Sequence, residues 1–558
     1  MTAILEKAIA QLSGYRGVSA HVGAVPLPRP LARATPTVRE RAQTSTQSTR
    51  WWIVIAAMIG AVLEVLDVSI TNVAIPQMMG NLGATLSEIG WVSTGYIISN
   101  VIVLPMTGWL SARFGRRAYF AVSIAVFTIA SVFCGLSHSL GALVFWRIVQ
   151  GLGGGGLLAT GQVIMLDAFP KSMQGVATAI FGMGVMVGPS LGPVLGGYLT
   201  DNLSWPWIFF INIPFGIVAV ILTVLFVPDG AGAKNSVFGP IDLPGMLLLA
   251  IGMGSLQTVL ERGQEEDWFE SKLIVWLAIT AVLGLAGFLW RELKTRFPVV
   301  DLRVLRNRSL SFGTIYGSVL GIGLYATLFL LPVYLQNSQG YTAFETGMVL
   351  LPSALMSMVS FMVAGPLSQR FDPRRILAVG TVLMMVGSLG LAGLTTQSGT
   401  ADLFWPLMLR GMAMGMIFIP LTLTSLGGLK PEQMGVGSGM VNLSRQLGGS
   451  IGIAALSTLL SRRAELHQQS VASHVNAGNP GLAAWISETQ GWFVRHGYSH
   501  AQAHDAALMQ LGIKAAKQAT MLSFNDCFLM IGIAFACSLP LIAFLKKPAG
   551  EVDMSAVH

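Results

Sequence analysis

The amino-acid sequence predicts an all-α membrane protein with fourteen membrane-spanning helices, built as two six-helix bundles with two extra central helices. Three observations predict this fold class. Of the 558 residues, 53% are hydrophobic and only 11% are charged, whereas soluble proteins average about 25% charged residues. The mean hydropathy is +0.65, which excludes a water-soluble globular protein. The segment GWLSARFGRR, which begins at Gly108, recurs as GPLSQRFDPRR from Gly365.

A helix that crosses a bilayer needs about 20 apolar residues, and this template predicts fourteen spans along the chain. Spans 1 to 6 cover about 52–78, 90–110, 118–136, 141–166, 174–200 and 206–227. Spans 7 and 8 cover about 241–260 and 273–290. Spans 9 to 14 cover about 310–335, 346–367, 376–395, 403–425, 434–460 and 521–545.

The repeated segment follows span 2 and span 10, so it predicts two halves of related design. Transporters built from such a parallel repeat bind substrate near the midplane, where the halves meet. The predicted organisation is a disordered cytoplasmic tail at 1–50, an N-terminal six-helix bundle at 51–228, two central helices and a cytoplasmic loop at 229–309, a C-terminal six-helix bundle at 310–545 that includes an external loop at 461–520, and a cytoplasmic tail at 546–558.

The basic residues predict which side of the membrane each loop faces. Short loops on one side hold only Arg262 and Lys272, while the tails and the loops of the other side hold most of the 34 Lys and Arg. Because cytoplasmic loops are enriched in Lys and Arg, both termini are predicted to be cytoplasmic. This placement accounts for the net charge of +8 without a nucleic-acid partner. The first 50 residues are Pro-rich and polar, and they do not form a signal peptide.

Several functions are excluded by what the sequence lacks. Cys134, Cys527 and Cys537 lie in apolar runs, so neither a disulfide framework nor a metal site is predicted. No lysine follows a glycine, which excludes the phosphate-binding loop of an ATPase. Ser190 and Ser450 fit a G-x-S-x-G pattern, but no histidine lies in a span to act as their base. The chain is therefore not expected to be an enzyme or to need a cofactor.

Two carboxylates lie in the middle of span 1. Glu64 and Asp67 are three residues apart, hence on one helix face, and intramembrane carboxylates are functional candidates by default. Burial and mutual repulsion favour the protonated form of such groups, which suits a proton carrier. The alternative is a structural hydrogen bond to a neighbouring helix. Arg147 in span 4, with Gln150 one turn on, is the expected partner of Asp67 or Glu64, either as a coupling switch or as a static ion pair.

Two further basic residues, Arg410 in span 12 and Arg445 in span 13, are embedded in the second half. The one carboxylate expected near them is Asp526, at the outer end of span 14. An excess of buried bases over acids is a hint that anionic amphiphiles are accepted as substrates. The pocket is expected to be apolar and adaptable, and Met and aromatic side chains suit such a surface.

Glycine recurs at every fourth position in span 5. The span 5 set is Gly184, Gly188, Gly192 and Gly196, with Pro189 and Pro193 interleaved. Such a stripe permits close helix packing, and each proline permits a bend.

Basic residues cluster with two glycines after span 2. The cluster comprises Gly108, Arg113, Gly115, Arg116 and Arg117. One interpretation is that these bases fix the orientation of the chain in the membrane. A second is that they form an ion pair between spans that opens during transport.

Taken in order along the chain, these motifs resemble a known family over nearly the whole sequence. The matching segments are LDVSITNVAIP at 66–76, GWLSARFGRR after span 2, RIVQGLGGG at 147–155, GVMVGPSLGPVLGG at 184–197 and WIFFINIPFG at 207–216. The chain resembles the fourteen-span drug:proton antiporters of the major facilitator superfamily, and most closely the EmrB-type inner-membrane subunit of a three-part multidrug efflux pump. One departure is Ala112, where the loop motif usually has an Asp.

The resemblance implies a major-facilitator fold and a proton-coupled exporter of hydrophobic or amphiphilic drugs that works by alternating access in the bacterial inner membrane. It implies Asp67 as the proton carrier, since only that acid matches the motif. Glu64 is expected to be a helper or a second carrier, and Arg147 is expected to be the charge partner. It places span 5 at the interface between the halves as a gate. It also implies a periplasmic adaptor and an outer-membrane channel as partners. Export of one endogenous lipid, fatty acid or siderophore by the same machinery is the alternative function.

The external loop at 461–520 is rich in Ala, Gln and His and is expected to form two or three short helices. His496, His500 and His504 are expected on one helix face, where a solvated surface is favoured over a metal site. A long external loop before the last span suits docking to an adaptor. A sensor without transport activity is the remaining alternative, and the span 1 acids and the span 5 motif argue against it.

Overall fold

Long apolar helices make up almost all of the regular structure. The computed structural model describes residues 47–170, 173–229, 241–474 and 480–546, and no strand occurs within those ranges. In lipid, backbone polar groups must be satisfied within the segment itself, and an apolar run of sufficient length therefore forms a helix. The predicted tails at 1–46 and 547–558 lie outside the described residues.

The described helices follow the predicted spans. Spans 1 to 6 lie in Gln47–Leu82, Trp91–Val103 with Thr107–Phe114, Arg116–Gly135, Leu140–Gly154 with Leu157–Ala168, Gln174–Asn202, and Trp207–Phe210 with Asn212–Phe226. Spans 7 and 8 are Leu243–Arg262 and Lys272–Lys294. Spans 9 to 14 lie in Arg308–Val333, Ala343–Arg370, Pro373–Ala392, Thr400–Leu426, Met434–His474 and His500–Ile542.

Twelve helices of the described residues are long and apolar enough to cross a membrane. Those that contain spans 5 and 13 are not in this set, although both are long: Gln174–Asn202 and Met434–His474. The all-helical membrane fold is therefore confirmed, while the count of fourteen spans stays a prediction. The boundaries of the predicted domains also stay predictions, because residues from Ser48 onward group into one compact unit.

Span 4 is broken where the sequence is richest in glycine. The helix Leu140–Gly154 ends and Leu157–Ala168 begins after a two-residue turn at Gly155 and Gly156. A Cβ atom at Gly155 would lie 2.6 Å from the carbonyl oxygen of Asn100 in span 2, so glycine permits the close approach of these helices. The break leaves backbone N–H groups at the start of the second helix without partners inside the helix, and one of them contributes to the site described below.

The structure of the external segment differs from the prediction of two or three short helices. The span 13 helix continues to His474, the span 14 helix begins at His500, and Pro480–Arg495 is a short helix between them. Ala, Gln and Leu favour helix, so the two long helices extend well beyond the predicted limits of spans 13 and 14. Placing the three histidines on one face was wrong, because the short helix ends before His496 and Gly497 adopts a φ of 93°.

The helices pack so that spans of both halves line the centre. Spans 5 and 10 pack against each other, and span 13 contacts the helices of spans 2 and 4 as well as span 9. Span 7 contacts spans 2 and 13, and span 8 packs on span 7. The two central helices therefore lie beside the junction of the halves, and the embedded polar residues of spans 1, 4, 12 and 13 lie inside the packed helices.

Candidate functional site

An ion pair between Asp67 and Arg147 lies inside the N-terminal half. Nη1 of Arg147 in span 4 contacts Oδ2 of Asp67 in span 1, and the two side chains are 1% and 0% exposed. An unpaired charge at such depth costs at least a few kcal/mol, so each residue stabilises the other. Of the two partners considered for Arg147, the structure places Asp67, not Glu64, against the guanidinium.

The second oxygen of the Asp67 carboxylate accepts hydrogen bonds from two amide side chains. Nε2 of Gln150 donates at 2.9 Å and Nδ2 of Asn212 donates at 3.2 Å. Both amides also donate to Oγ of Ser131, at 3.2 Å and 3.0 Å. The carboxylate therefore connects spans 1, 4 and 6, and Ser131 adds span 3, so a change in the charge of Asp67 affects four helices at once.

Arg147 has partners other than the carboxylate. Its Nε donates to the carbonyl oxygen of Val92 at 3.0 Å, and its Nη1 donates to Oε1 of Gln150 at 2.8 Å. The guanidinium also lies over the ring of Tyr96, 4.3 Å from the ring centroid, a distance at which a cation–π contact is favourable. These contacts would hold the guanidinium in place when Asp67 takes a proton.

Glu64 lies one turn away from Asp67 and has a separate set of partners. Its Oε1 accepts from Nδ2 of Asn100 at 3.0 Å, and its Oε2 accepts from the backbone N–H of Leu158 at 2.8 Å. That N–H is available because of the break in span 4. The two acids of span 1 therefore face different surroundings.

A small cavity lies between the two halves, beside Val65 and Leu158. Its lining residues are Val65, Leu158, Val185, Met186, Leu324, Tyr325, Leu328, Phe418 and Arg445. Arg445 is the one charged residue of this lining. Its guanidinium lies 5.0 Å from the ring centroid of Phe418, and its Nη2 contacts Oδ1 of Asn442. Ligand pockets are typically apolar with a few polar groups that orient the ligand, and this lining has that character.

Arg410 is buried in the C-terminal half without a carboxylate among the described residues around it. Its Nη1 donates to Oγ of Ser388 at 2.7 Å, and its Nη2 donates to the carbonyl oxygen of Gly323 at 3.0 Å and contacts Oγ1 of Thr327. Asp526 is engaged elsewhere, with Arg463 and His467. The expectation that Asp526 lies near the embedded bases is therefore not met.

The glycine stripe of span 5 packs against span 1. A Cβ atom at Gly188 would lie 2.9 Å from the backbone nitrogen of Leu66, beside Asp67. The other three glycines also face span 1 residues: Gly184 faces Met58, Gly192 faces Ser69 and Gly196 faces Ile70. Pro189 and Pro193 lie within the helix, and their side chains lie outside the described part. The face of span 5 that carries Gly182 meets Phe361 of span 10, so span 5 contacts both halves.

The residues after span 2 make contacts in both directions. A Cβ atom at Gly108 would lie 2.5 Å from the backbone nitrogen of Val436, so this glycine lets the end of span 2 touch the start of span 13. Gly115 has a φ of 86°, a conformation that favours glycine. Arg116 pairs with Asp167 at the end of span 4. The guanidinium of Arg113 lies 5.4 Å from the ring centroid of Trp109, and Arg117 is partly exposed.

Sequence reasoning missed several polar residues of the site. Asn212 and Ser131 complete the surroundings of Asp67, and Asn100 binds Glu64. All three are polar residues inside apolar spans, and that was the signal that could have identified them. A further missed contact joins span 7 to span 13, where Nε2 of Gln257 donates to Oγ of Ser450 at 2.7 Å.

Comparison with known proteins places the chain in a family. One protein-family model matches residues 57–453, and its description is the Major Facilitator Superfamily. The chain belongs to this superfamily. Its members are membrane transporters, so the chain is a transporter rather than an enzyme, and the match confirms the resemblance carried by the motifs.

Relatives of this chain match it over nearly all of its length. The multidrug export protein EmrB of Escherichia coli (strain K12) is 36% identical over 498 residues, which are 89% of this chain and 95% of that protein. The fatty acid resistance protein FarB of Neisseria gonorrhoeae is 33% identical and covers 89% of this chain and 96% of its own length. The crystal structure of the human organic anion transporter MFSD10 matches with a TM-score of 0.55 at 13% identity, over 88% of this chain and 99% of that one, which supports the fold alone.

Proposed function

We propose that this transporter exports hydrophobic or amphiphilic drugs across the bacterial inner membrane in exchange for protons. The observation that carries the proposal is the buried Asp67–Arg147 pair, whose carboxylate is bound by groups from spans 4 and 6. The EmrB relative exports multiple drugs by its name, which supports the substrate class. The chain is expected to use no cofactor.

Asp67 is the proposed proton carrier, and Arg147 is its charge partner. When the carboxylate takes a proton, the ion pair is lost, while Arg147 keeps its contacts with Val92 and Tyr96 of span 2. The balance of attraction between span 1 and span 4 therefore changes with the protonation state. One proton moving down 100 mV yields about 2.3 kcal/mol, and about 1.4 kcal/mol corresponds to a factor of ten, so one proton could sustain a drug gradient on the order of 40-fold.

The same arrangement supports alternating access as the proposed transport mechanism. The proposed gate is span 5, whose glycine stripe packs against span 1 beside Asp67 and whose other face packs against span 10. A change at Asp67 is thereby transmitted to the surface between the halves. Glu64 is the proposed helper, since it accepts hydrogen bonds from Asn100 and from the N–H of Leu158, and Leu158 lines the cavity.

The proposal also includes assembly into a three-part pump. Both termini would lie in the cytoplasm, and the long helices that extend through 461–520 would face the periplasm. These extensions carry the exposed apolar residues Leu466 and Met509, and the short helix between them carries exposed Trp492. Such residues suit contact with a periplasmic adaptor that leads to an outer-membrane channel. Deletion of 465–515 is expected to abolish co-purification of the adaptor while leaving transport by the isolated protein measurable.

The experiment that tests proton coupling compares Asp67→Asn with wild type in proteoliposomes. An imposed proton gradient drives efflux of a fluorescent amphiphile by the wild type, and internal pH is followed at the same time. Asp67→Asn is expected to abolish both gradient-driven efflux and substrate-linked proton movement while the amphiphile still binds. The matched control is Asp526→Asn, which changes a carboxylate of an ion pair outside the network. Equal transport by Asp67→Asn and wild type would make the carboxylate structural.

A second candidate function is export of one endogenous lipid, fatty acid or siderophore by the same machinery. The specific observation in its favour is that the single charged residue of the apolar cavity lining is basic, Arg445, as an anionic headgroup would require. The FarB relative is a fatty acid resistance protein by its name. A panel of cationic, neutral and anionic amphiphiles tested on a pump-deleted host separates the two functions, because a dedicated exporter protects against one class only.

A further inference from the structure

The connection from span 8 to span 9 carries exposed basic side chains. These residues, named here the basic strip, are Lys294, Arg296, Arg303, Arg306 and Arg308. The two carboxylates of the segment are occupied by backbone groups, since Glu292 accepts from the N–H groups of Val299 and Val300 at 3.2 Å and 3.4 Å, and Asp301 accepts from the N–H of Arg303 at 3.1 Å. None of the ion pairs found among residues 47–546 as described includes a member of the basic strip.

The backbone that carries the strip is ordered by buried apolar residues. Val299 and Val300 are each 1% exposed and belong to a cluster that includes Leu249 of span 7. Val304 is 3% exposed and belongs to a second cluster, with Leu310 of span 9. Leu302–Arg306 is a 3-10 helix, in which side chains three residues apart lie directly above one another. Arg303 and Arg306, both exposed, therefore lie on one side of this helix, and buried Val304 lies on another.

Aromatic residues place this surface at the boundary of the membrane. Trp290, near the end of span 8, is 62% exposed, and the Nζ atom of Lys294 lies 4.4 Å from the centroid of its ring. The guanidinium of Arg296 lies 5.8 Å from the ring centroid of Phe297. Exposed Trp residues at helix ends lie at the level of the lipid headgroups. The strip is therefore level with the phosphates of the bilayer.

We propose that the basic strip is a binding site for the phosphate of an anionic phospholipid, with Arg303 and Arg306 as its centre. A guanidinium presents a planar pair of donors that matches phosphate oxygens, and two stacked guanidinium groups can bind one phosphodiester together. The acyl chains would lie along span 8, whose exposed face includes Trp276, Leu283 and Leu293. Basic residues that only orient the chain in the membrane need no particular arrangement. Here the paired arginines and the adjacent aromatic belt together form a shaped site.

This site lies on the segment that joins the central helices to the C-terminal half. A lipid held there would contact span 8 with its chains and the 3-10 helix with its headgroup, and the 3-10 helix leads directly into span 9. The inference does not depend on the transported substrate, because the surface lies away from the cavity lined by Val65, Phe418 and Arg445.

The test measures phosphatidylglycerol bound to the purified full chain in detergent micelles, by native mass spectrometry, with phosphatidylcholine as the zwitterionic comparison. Arg303→Gln/Arg306→Gln is expected to lower retained phosphatidylglycerol at least about fivefold and to leave phosphatidylcholine unchanged. The matched control is Arg462→Gln/Lys517→Gln, which removes two exposed charges from the helices beyond the other end of the spans. Added inorganic phosphate is expected not to displace the lipid, because the acyl chains contribute to binding.

Two results would overturn the proposal: retention of phosphatidylglycerol by Arg303→Gln/Arg306→Gln at the wild-type level, or an equal loss in the control pair, which would indicate diffuse charge attraction. If the glutamine variant does not fold, Arg303→Lys/Arg306→Lys replaces it, since it keeps the charge and removes the planar donor pairs. Its retention is expected to fall by about half or more, and wild-type retention by the lysine variant would equally contradict a shaped site.

Discussion

Arg147 and Arg410 are buried guanidinium groups in equivalent helices of the two halves, and they differ in what they contact. Each lies in the fourth helix of its half, and Ser131 and Ser388 beside them are separated by the same interval as the repeated segments at Gly108 and Gly365. Arg147 contacts the carboxylate of Asp67. Arg410 contacts two hydroxyl groups and a carbonyl oxygen.

The difference lies in what each arginine faces. In the N-terminal half, the group opposite the arginine is a carboxylate, which a proton can neutralise, as the proposed proton coupling requires. In the C-terminal half, Thr327 contacts the arginine, and a hydroxyl group does not titrate in the physiological range. Of the two halves, the N-terminal one therefore holds the group proposed to switch.

The largest expected effect separates Arg147→Met from Arg410→Met. Arg147→Met leaves the Asp67 carboxylate buried without its counter-charge, and breaking a buried ion pair this way costs about 3–5 kcal/mol of unfolding free energy. Arg410→Met leaves Ser388 and Thr327, whose hydroxyl groups already donate to the backbone of their own helices. Its expected cost is about 1 kcal/mol or less. Denaturant unfolding of the purified protein in micelles measures both.

The exposed Arg462→Met serves as the control for loss of an arginine as such, and it should change the free energy of unfolding by less than about 0.5 kcal/mol. Equal losses for Arg147→Met and Arg410→Met would contradict the comparison, because they would mean that a carboxylate and a hydroxyl group compensate a buried guanidinium equally well.

A smaller effect is expected from restoring the missing acid to the C-terminal half with Thr327→Asp. Since Oγ1 of Thr327 already contacts Nη2 of Arg410, a carboxylate there can form the ion pair that the N-terminal half has. In a double-mutant cycle of Thr327→Asp and Arg410→Met, the coupling free energy is expected to be about 1–3 kcal/mol. Thr327→Asn, with the same shape and no charge, should show a coupling near zero, and a coupling as large as that of Thr327→Asp would attribute the effect to shape alone.

The fold was predictable because the bilayer permits few solutions. Apolar length, the recurrence of the segment at Gly108 and the distribution of Lys and Arg were enough to predict an all-helical membrane protein and the positions of its helices. The structure of the external segment was not predicted correctly, since its polar residues fit short separate helices and long continuous helices equally well. Only the packing of the helices against one another decides between these.

The site was predictable in part, because a charge in lipid needs a partner. This rule predicts that Arg147 pairs with one of the two acids of span 1. Because Glu64 and Asp67 are three residues apart on one helix face, either acid could reach the guanidinium. The choice depends on the rotation of span 1 and on the break in span 4 that gives Glu64 the N–H of Leu158. The polar residues Ser131 and Asn212 were missed because a single hydroxyl or amide in an apolar span marks a candidate but does not tell which helix the side chain faces.

Substitutions that overfill a close helix contact are expected to destabilise the two halves equally. This expectation contrasts with the arginine substitutions, whose effects are expected to differ between the halves. The nearest atom to a Cβ at Gly188 would be the nitrogen of Leu66 at 2.9 Å, and a Cβ at Gly380 would likewise lie 2.9 Å from the carbonyl carbon of Met416. Gly188→Ala and Gly380→Ala should each cost about 1–3 kcal/mol through overpacking. Thermal unfolding measures the loss. Gly197→Ala, which meets no atom within 4 Å, is the control and should be neutral or slightly stabilising.

The smallest expected effect concerns Glu64→Gln, which separates the two acids of the N-terminal half. The amide oxygen of a glutamine can still accept from Asn100 or Leu158, so the free energy of unfolding should change by no more than about 1 kcal/mol. Gradient-driven efflux should fall several-fold and remain measurable, because the pair of Asp67 and Arg147 stays intact. Glu64→Leu leaves the N–H of Leu158 buried without an acceptor and should cost about 1–3 kcal/mol. If Glu64→Gln abolishes efflux as completely as Asp67→Asn, then Glu64 carries a proton itself, and the switching charge of the N-terminal half belongs to both acids together.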